Sequence, residues 1–114
     1  MDILEKLNAM GVRTEEGLAR CLGQENFYLS LVQRALRDEE FEKLGSAIGQ
    51  GRHSEAFEYA HALKGACGNL SLTPLYEPLC EITEWLRNGK ACDYAPVLGQ
   101  ILSTREKMLE LFTL

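Results

Sequence analysis

The sequence predicts an all-α domain, an antiparallel four-helix bundle that is preceded by two short capping helices. Two observations favour this fold class. Apolar residues recur at helical spacing along nearly the whole chain, and the sustained period-two alternation that is typical of strands is absent. Caps, glycines and prolines divide the pattern into segments joined by short turns, and helices joined in this way pack as antiparallel neighbours. The length of 114 residues fits one domain.

Residues 1–24 are predicted to form the two short helices, which cover one end of the bundle. The first spans residues 2–9. Thr14 is the expected N-cap of the second helix, which ends before Gly23. The bundle itself is expected over residues 25–112.

The bundle region is divided by further capping residues. Helices are predicted near residues 25–37, from Asp38 to Gln50, from Ser54 to Ser71, from Thr73 to Asn88, and from Asp93 to the C-terminus. Asp38, Thr73 and Asp93 are the expected N-caps. Pro74 takes the first helical position after its cap. The ring of Pro78 opposes the carbonyl four residues earlier, so a bend or a distorted first turn is expected there.

Composition and charge argue against several classes of protein. The net charge of −5 does not suit general nucleic-acid binding, which needs a basic surface. No apolar run is long enough to span a membrane, and the opening "MDILEKLNAM" lacks the basic and apolar regions of a signal peptide. We therefore expect a cytoplasmic protein that binds neither membrane nor nucleic acid. The initial Met and the capped opening helices favour a free-standing protein over an excised domain.

The four cysteines, Cys21, Cys67, Cys80 and Cys92, form no CxxC pair, and no histidine stands at a usual zinc spacing from two of them. They are expected to be free, buried, small hydrophobic residues in a reducing compartment. The chain also contains no Gly-rich phosphate loop. The sequence therefore predicts neither a metal site nor a nucleotide or other cofactor.

The stretch "AHALKGACGNL", residues 60–70, has the pattern of a helix that carries two glycines. Each glycine in a helix interior costs roughly 0.5–1 kcal/mol relative to alanine. A helical wheel separates the surrounding residues into two sets. The predicted core face contains Ala56, Tyr59, Ala60, Leu63, Ala66, Cys67 and Leu70. The opposite face contains Ser54, Glu58, His61, Lys64, Gly65, Gly68 and Leu72.

This division predicts that His61 points towards solvent. Gly65 and Gly68 lie on the same face, where no packing partner is expected, so they would clear a flat approach to the imidazole for another protein. Lys64, one turn on from His61, supplies a positive charge beside the ring. A neutral imidazole nitrogen is a competent nucleophile near neutral pH, and an ammonium group would stabilise a phosphoryl group placed on it.

The pattern of His61, Leu63, Lys64 and Gly65 resembles the core His-x-Leu-Lys-Gly pattern of the histidine-containing phosphotransfer (Hpt) domain of bacterial multistep phosphorelays. Gly68 matches a small position of that pattern, and the following "LYEPLCEITEWL" resembles the amphipathic helix with its embedded cysteine. The similarity covers roughly residues 25–112. Ser71 is a departure, because the family usually has glycine there.

The resemblance implies one Hpt domain over residues 1–114, in which His61 accepts a phosphoryl group from a receiver-domain aspartyl phosphate and passes it to another receiver. Lys64 would stabilise the phosphoryl group. The receiver would supply Mg²⁺ and most of the catalysis, so the chain would be a carrier rather than an enzyme. The implied partners are a receiver domain, a hybrid histidine kinase or both, and the chain is expected to be a monomer. The candidate docking residues are Phe57, Glu58, Gly65, Gly68 and Leu72.

Three other interpretations of the sequence compete with phosphotransfer. The same bundle could be a non-catalytic module that binds a receiver or kinase domain. A metal or hydrolytic enzyme could use His53, His61 and the cysteines, although two histidines eight residues apart on one helix are about two turns from each other, too far to share a metal. The third interpretation is a structural bundle that carries the motif by chance.

Overall fold

The computed structural model describes residues 2–113, which form seven helices and no strand. The helices are α1 (Ile3–Ala9), α2 (Thr14–Arg20), α3 (Glu25–Leu36), α4 (Glu40–Gly49), α5 (His53–Asn69), α6 (Thr73–Arg87) and α7 (Ala95–Glu110). The predicted all-α fold class is confirmed, and the helix limits lie within two residues of those expected for most elements.

Asp38 and Asp93 bond the first residue of α4 and of α7, but they do so from one position before the N-caps, which are Glu39 and Tyr94. The Asp38 carboxylate accepts a hydrogen bond from the backbone N–H of Glu40 at 2.9 Å, at the start of α4. The Asp93 carboxylate accepts one from the N–H of Ala95 at 3.0 Å, at the start of α7. Both side chains satisfy a backbone donor that the helix itself leaves free.

The two threonine caps were predicted wrongly. Thr14 and Thr73 are the first helical residues of α2 and α6, and neither preceding residue makes a side-chain capping bond. The backbone explains the shift, because Arg13 is already held in place by a hydrogen bond from its N–H to the Ser71 carbonyl at 3.1 Å. The chain segments before α2 and α6 are thus joined to each other, and each helix starts one residue earlier than the sequence predicts.

Helix α5 lies between α4 and α6, and α7 packs against α6 and α3. The short helices α1 and α2 pack against each other and α2 against α3, and Leu7 and Val12 are buried. α6 continues through Pro78, whose missing N–H leaves the Pro74 carbonyl without its usual intrahelical donor. The largest fully buried side chains are Tyr28, Phe41, Leu7, Leu36, Leu44, Leu63, Leu72, Leu75, Leu79, Ile82, Ile101 and Met108.

A buried arginine joins α7 to the junction of α3 and α4. Arg105 is only 7% exposed. Its Nε donates a hydrogen bond at 2.6 Å to the carbonyl of Leu36, the last residue of α3. Its Nη1 donates to the Glu42 carboxylate at 2.7 Å, and its guanidinium lies 4.9 Å from the centroid of the Phe41 ring. The hydrogen bond from Arg105 lowers the pKa of Glu42. Because the charge is paired and hydrogen-bonded, it can be accommodated in the core.

Candidate functional site

His61 lies in the middle of α5 on the side that faces away from the core. Ala56, Ala60, Leu63 and Cys67 on the same helix are buried, whereas His61 is exposed. The wheel therefore predicted the orientation of the histidine correctly. The helix backbone fixes the position of the imidazole, and no core contact restricts access to it from solvent.

The imidazole has an aromatic neighbour one turn earlier. The rings of Phe57 and His61 are stacked, with centroids 5.7 Å apart and an interplanar angle of 19°. The guanidinium of Arg87, at the end of α6, lies 5.2 Å from the centroid of the Phe57 ring. Phe57 is half-buried. Stacking restricts the orientation of the imidazole.

Lys64 and Glu58 flank the histidine along the helix. Each is three residues from His61, which makes both of them surface neighbours of the imidazole. Lys64 is half-buried and Glu58 is exposed. Lys64 has no ion-pair partner among residues 2–113.

The two glycines have different surroundings. A Cβ added at Gly65 would meet no heavy atom of residues 2–113 within 4 Å, so this position is open, as the sequence predicts. A Cβ at Gly68 would come within 2.8 Å of Cε1 and 3.0 Å of Cδ1 of Tyr76. The expectation that Gly68 has no packing partner is therefore wrong. The ring of Tyr76, from the first turns of α6, occupies the space that the missing side chain leaves.

Leu72 was also assigned wrongly to the exposed face, because its side chain is fully buried. The helical wheel was extended beyond the end of the helix. α5 ends at Asn69, and Ser71 has a φ of +58°, which reverses the chain direction. The N–H of Leu72 then bonds the Cys67 carbonyl at 2.9 Å and the N–H of Ser71 bonds the Gly68 carbonyl at 3.1 Å. This is a Schellman motif, in which the residue at the position of Leu72 commonly packs inwards.

Ser71 occupies the position of that motif where glycine is most common, and a network of polar groups surrounds it. Its hydroxyl donates to Glu16 Oε1 at 2.8 Å and accepts from Arg20 Nη1 at 2.9 Å. The same Arg20 nitrogen donates to the carbonyls of Gly68 at 3.1 Å and Asn69 at 2.9 Å. The Ser71 hydrogen bond, with Arg20 close by, lowers the pKa of Glu16.

A second contact closes the end of α5 from α3. The hydroxyl of Tyr28 donates to the Leu70 carbonyl at 2.7 Å, and burial raises the pKa of Tyr28 to about 12. Glu16 and Arg20 from α2 and Tyr28 from α3 thus bond residues 68–71 at the C-terminal end of α5. We call these three residues the clamp. Sequence reasoning missed all three residues, although the departure at Ser71 indicated that this turn differs from the family pattern.

The cysteines contribute no disulfide among the described residues. Cys21 and Cys67 are buried as predicted, but Cys80 and Cys92 are only half-buried. Burial raises the pKa of Cys67 to about 12, so its thiol stays protonated near neutral pH. Within residues 2–113, no three His, Cys, Asp or Glu side chains are grouped closely enough to hold a metal ion, and no helix there is long and apolar enough to cross a membrane.

Comparison with known proteins adds one finding to this geometry. The family model for the Hpt domain matches residues 31–111, which include the whole of α4, α5, α6 and α7. Searches of curated proteins and of solved structures give no significant match. The helices α1 and α2 lie outside the matched residues. The match covers most of the chain, and the chain therefore belongs to the Hpt domain family, whose members are phosphocarriers in two-component phosphorelays.

Proposed function

We propose that this chain is a phosphohistidine carrier in which His61 accepts a phosphoryl group from the aspartyl phosphate of a receiver domain and passes it to a second receiver. The observation that carries the proposal is the position of His61. It is exposed in the middle of a packed helix, three residues from Lys64 and four from the open position at Gly65.

The transfer exchanges one bond for another. An imidazole nitrogen of His61 attacks phosphorus, the bond between phosphorus and the aspartyl oxygen breaks, and the carboxylate leaves with the electron pair. The imidazole proton is released as the neutral phosphohistidine forms, and the reverse sequence at a second receiver returns the histidine. Mg²⁺ held by the receiver would neutralise negative charge on the phosphoryl oxygens.

The roles of the neighbouring side chains follow from their contacts. Phe57 stacks on the imidazole and limits its rotation, which favours attack from one orientation. The Lys64 ammonium, three residues along α5 from His61, would form a charge-assisted hydrogen bond with the phosphoryl oxygens. Gly65 leaves the space beside the ring free for the receiver surface.

The experiment is incubation with a radiolabelled phosphorylated receiver and Mg²⁺. We expect label on the chain that is acid-labile and base-stable, as a phosphoramidate is. His61→Gln should abolish labelling with little change in helicity, because the side chain is exposed. His53→Gln is the matched control, since His53 is the other histidine of the chain, and it should be labelled normally.

Two outcomes would contradict the proposal. Label that persists in His61→Gln and disappears in His53→Gln would place the acceptor at His53. Stable binding of the phosphorylated receivers without any labelling would favour the non-catalytic module.

The same labelling assay tests the role of Lys64. Lys64→Ala should slow transfer or shorten the lifetime of the phosphohistidine, and unchanged kinetics would remove Lys64 from the site.

A further inference from the structure

A groove of about 510 Å³ begins at Lys64 and Gly65 and runs away from the imidazole between α2, α5 and the start of α6. Its α2 side contains Arg13 and Arg20, and its α6 side contains Tyr76 and Glu77. His61 is not part of the lining. The groove is thus a surface separate from the phosphoacceptor, but it starts only one helical turn further along α5.

The wall formed by α2 is held rigidly. Arg20 binds three oxygens at the end of α5, and the N–H of Arg13 donates to the Ser71 carbonyl. These bonds join α2 to the phosphoacceptor helix itself. Because α2 lies before the residues matched by the family model, this wall is an addition to the matched part of the fold.

The opposite side of the groove presents an aromatic ring. Tyr76 is 39% exposed, and its ring rests in the notch at Gly68, where any larger residue would displace it. A ring supported from below by backbone loses little conformational freedom when a partner covers its exposed part. Partly exposed tyrosines of this kind are frequent energetic centres of protein interfaces.

The charges of the groove differ in sign from those of the chain as a whole. Its lining includes three cationic side chains, Arg13, Arg20 and Lys64, and two carboxylates, Glu16 and Glu77, whereas the chain has a net charge of −5. Glu16 is paired with Arg20 at 3.0 Å and lies 3.8 Å from Arg13, which is 70% exposed. Three cations against two carboxylates give the lining a net charge of +1, and Lys64 has no ion-pair partner among residues 2–113.

We infer that this groove is a second contact surface for the phosphorylated receiver, and that it takes an acidic segment of the receiver adjacent to its phosphoaspartate. The exposed part of the Tyr76 ring would be buried on docking, and Arg13 and Lys64 would supply charge complementarity. Through α2, the N-terminal helices would take part in selecting the receiver. The inference depends on the proposed function, because it needs a receiver docked at His61.

The test compares steady-state transfer from phosphorylated receiver to the unaltered chain and to four variants of it, at low and physiological salt. We expect Arg13→Glu and Tyr76→Ala each to lower kcat/KM by about tenfold, mainly through KM, with the maximal rate retained. The salt dependence of kcat/KM should weaken in Arg13→Glu. Arg34→Glu, an exposed charge reversal on α3 outside the groove, should behave like the unaltered chain.

Thermal melting of each variant separates loss of docking from loss of fold, and Arg13→Gln provides a second variant with a milder charge change and an intermediate effect. The inference is overturned if Arg13→Glu and Tyr76→Ala retain normal kcat/KM and salt dependence while His61→Gln still abolishes labelling. Failure of the unaltered chain to accept label from any receiver would overturn the proposed function, and the docking inference with it.

Discussion

The middle of α5 and its C-terminal end carry one glycine each on the same side of the helix, but their surroundings are opposite. At Gly65 an added Cβ would meet no atom of residues 2–113 within 4 Å, and the exposed His61 lies one turn away. At Gly68 the space is filled by Tyr76, and the next three residues are bound from α2 and α3. One part of the helix is left open and the other is clamped.

The difference assigns two roles to residues of the same type. No side chain of residues 2–113 fills the space at Gly65, and under the proposed function that space serves access for the receiver. Gly68 serves internal packing and thereby positions an aromatic ring at the surface. The clamp also fixes the end of the helix that carries His61. The backbone around His61 and Gly65 is therefore held in place although few side chains contact that face of α5.

The largest effect is expected where the clamp is most closely packed. Gly17 of α2 lies against Tyr28, and an added Cβ would come within 2.6 Å of both Cζ and the hydroxyl oxygen of that fully buried ring. Gly17→Ala should therefore lower the free energy of unfolding by about 1–3 kcal/mol. Urea denaturation measures it, with Gly49→Ala as the control at a helical position that has no neighbour within 4 Å. Equal stability of the two variants would mean that α2 is not packed against Tyr28.

The next effect separates backbone strain from hydrogen bonding at Ser71. Both Ser71→Ala and Ser71→Gly remove the bonds to Glu16 and Arg20, but only glycine adopts a φ of +58° without strain. Ser71→Ala should therefore be less stable than Ser71→Gly by about 1 kcal/mol. Urea denaturation of the two variants measures this difference in the free energy of unfolding. If alanine were tolerated as well as glycine, the left-handed turn would not be present in solution.

A smaller effect compares the two glycines directly. Gly65→Ala should raise the free energy of unfolding by about 0.5–1 kcal/mol, since alanine removes the helical cost of glycine and meets no neighbour. Gly68→Ala should give no such gain, because the Tyr76 ring must move. Thermal melting of both variants, and of each combined with Tyr76→Ala, provides the comparison. A similar gain in both single variants would contradict the packing of Tyr76 on Gly68.

The smallest effect is the pH dependence of the clamp. The pKa of Glu16 is lowered in the folded protein, chiefly by its hydrogen bond from Ser71. A lowered folded pKa contributes stability that is fully present above the ordinary value of 4.5 and is lost as the pH falls through the folded pKa. Between pH 7 and pH 3, the unaltered chain should therefore lose more stability than Glu16→Gln. If both proteins lost the same stability between pH 7 and pH 3, the Glu16 carboxylate would not contribute to folding stability.

Local patterns in the sequence predicted the helices and the exposure of His61, because both depend on residues a few positions apart. They failed where the structure depends on distant residues. The contacts of Arg20 with the end of α5 span 48 to 51 positions, and no helical periodicity reports them. Leu72 was misplaced because a wheel has no information on where the helix ends. Arg105 had a detectable signal, since it follows Val97 and Ile101 at a spacing of four on the buried stripe of α7.

The most direct test of the contrast between the open and clamped parts of α5 is a paired measurement on Gly65→Gln. Its melting temperature and its rate of phosphotransfer from a phosphorylated receiver are compared with those of Gly49→Gln, which places the same side chain at an open position on α4. We expect Gly65→Gln to fold at least as stably as the unaltered chain and to lose transfer on the order of tenfold, or about 1.4 kcal/mol. Gly49→Gln should retain both. Normal transfer in a folded Gly65→Gln variant would contradict the claim that this part of α5 is kept open for a partner.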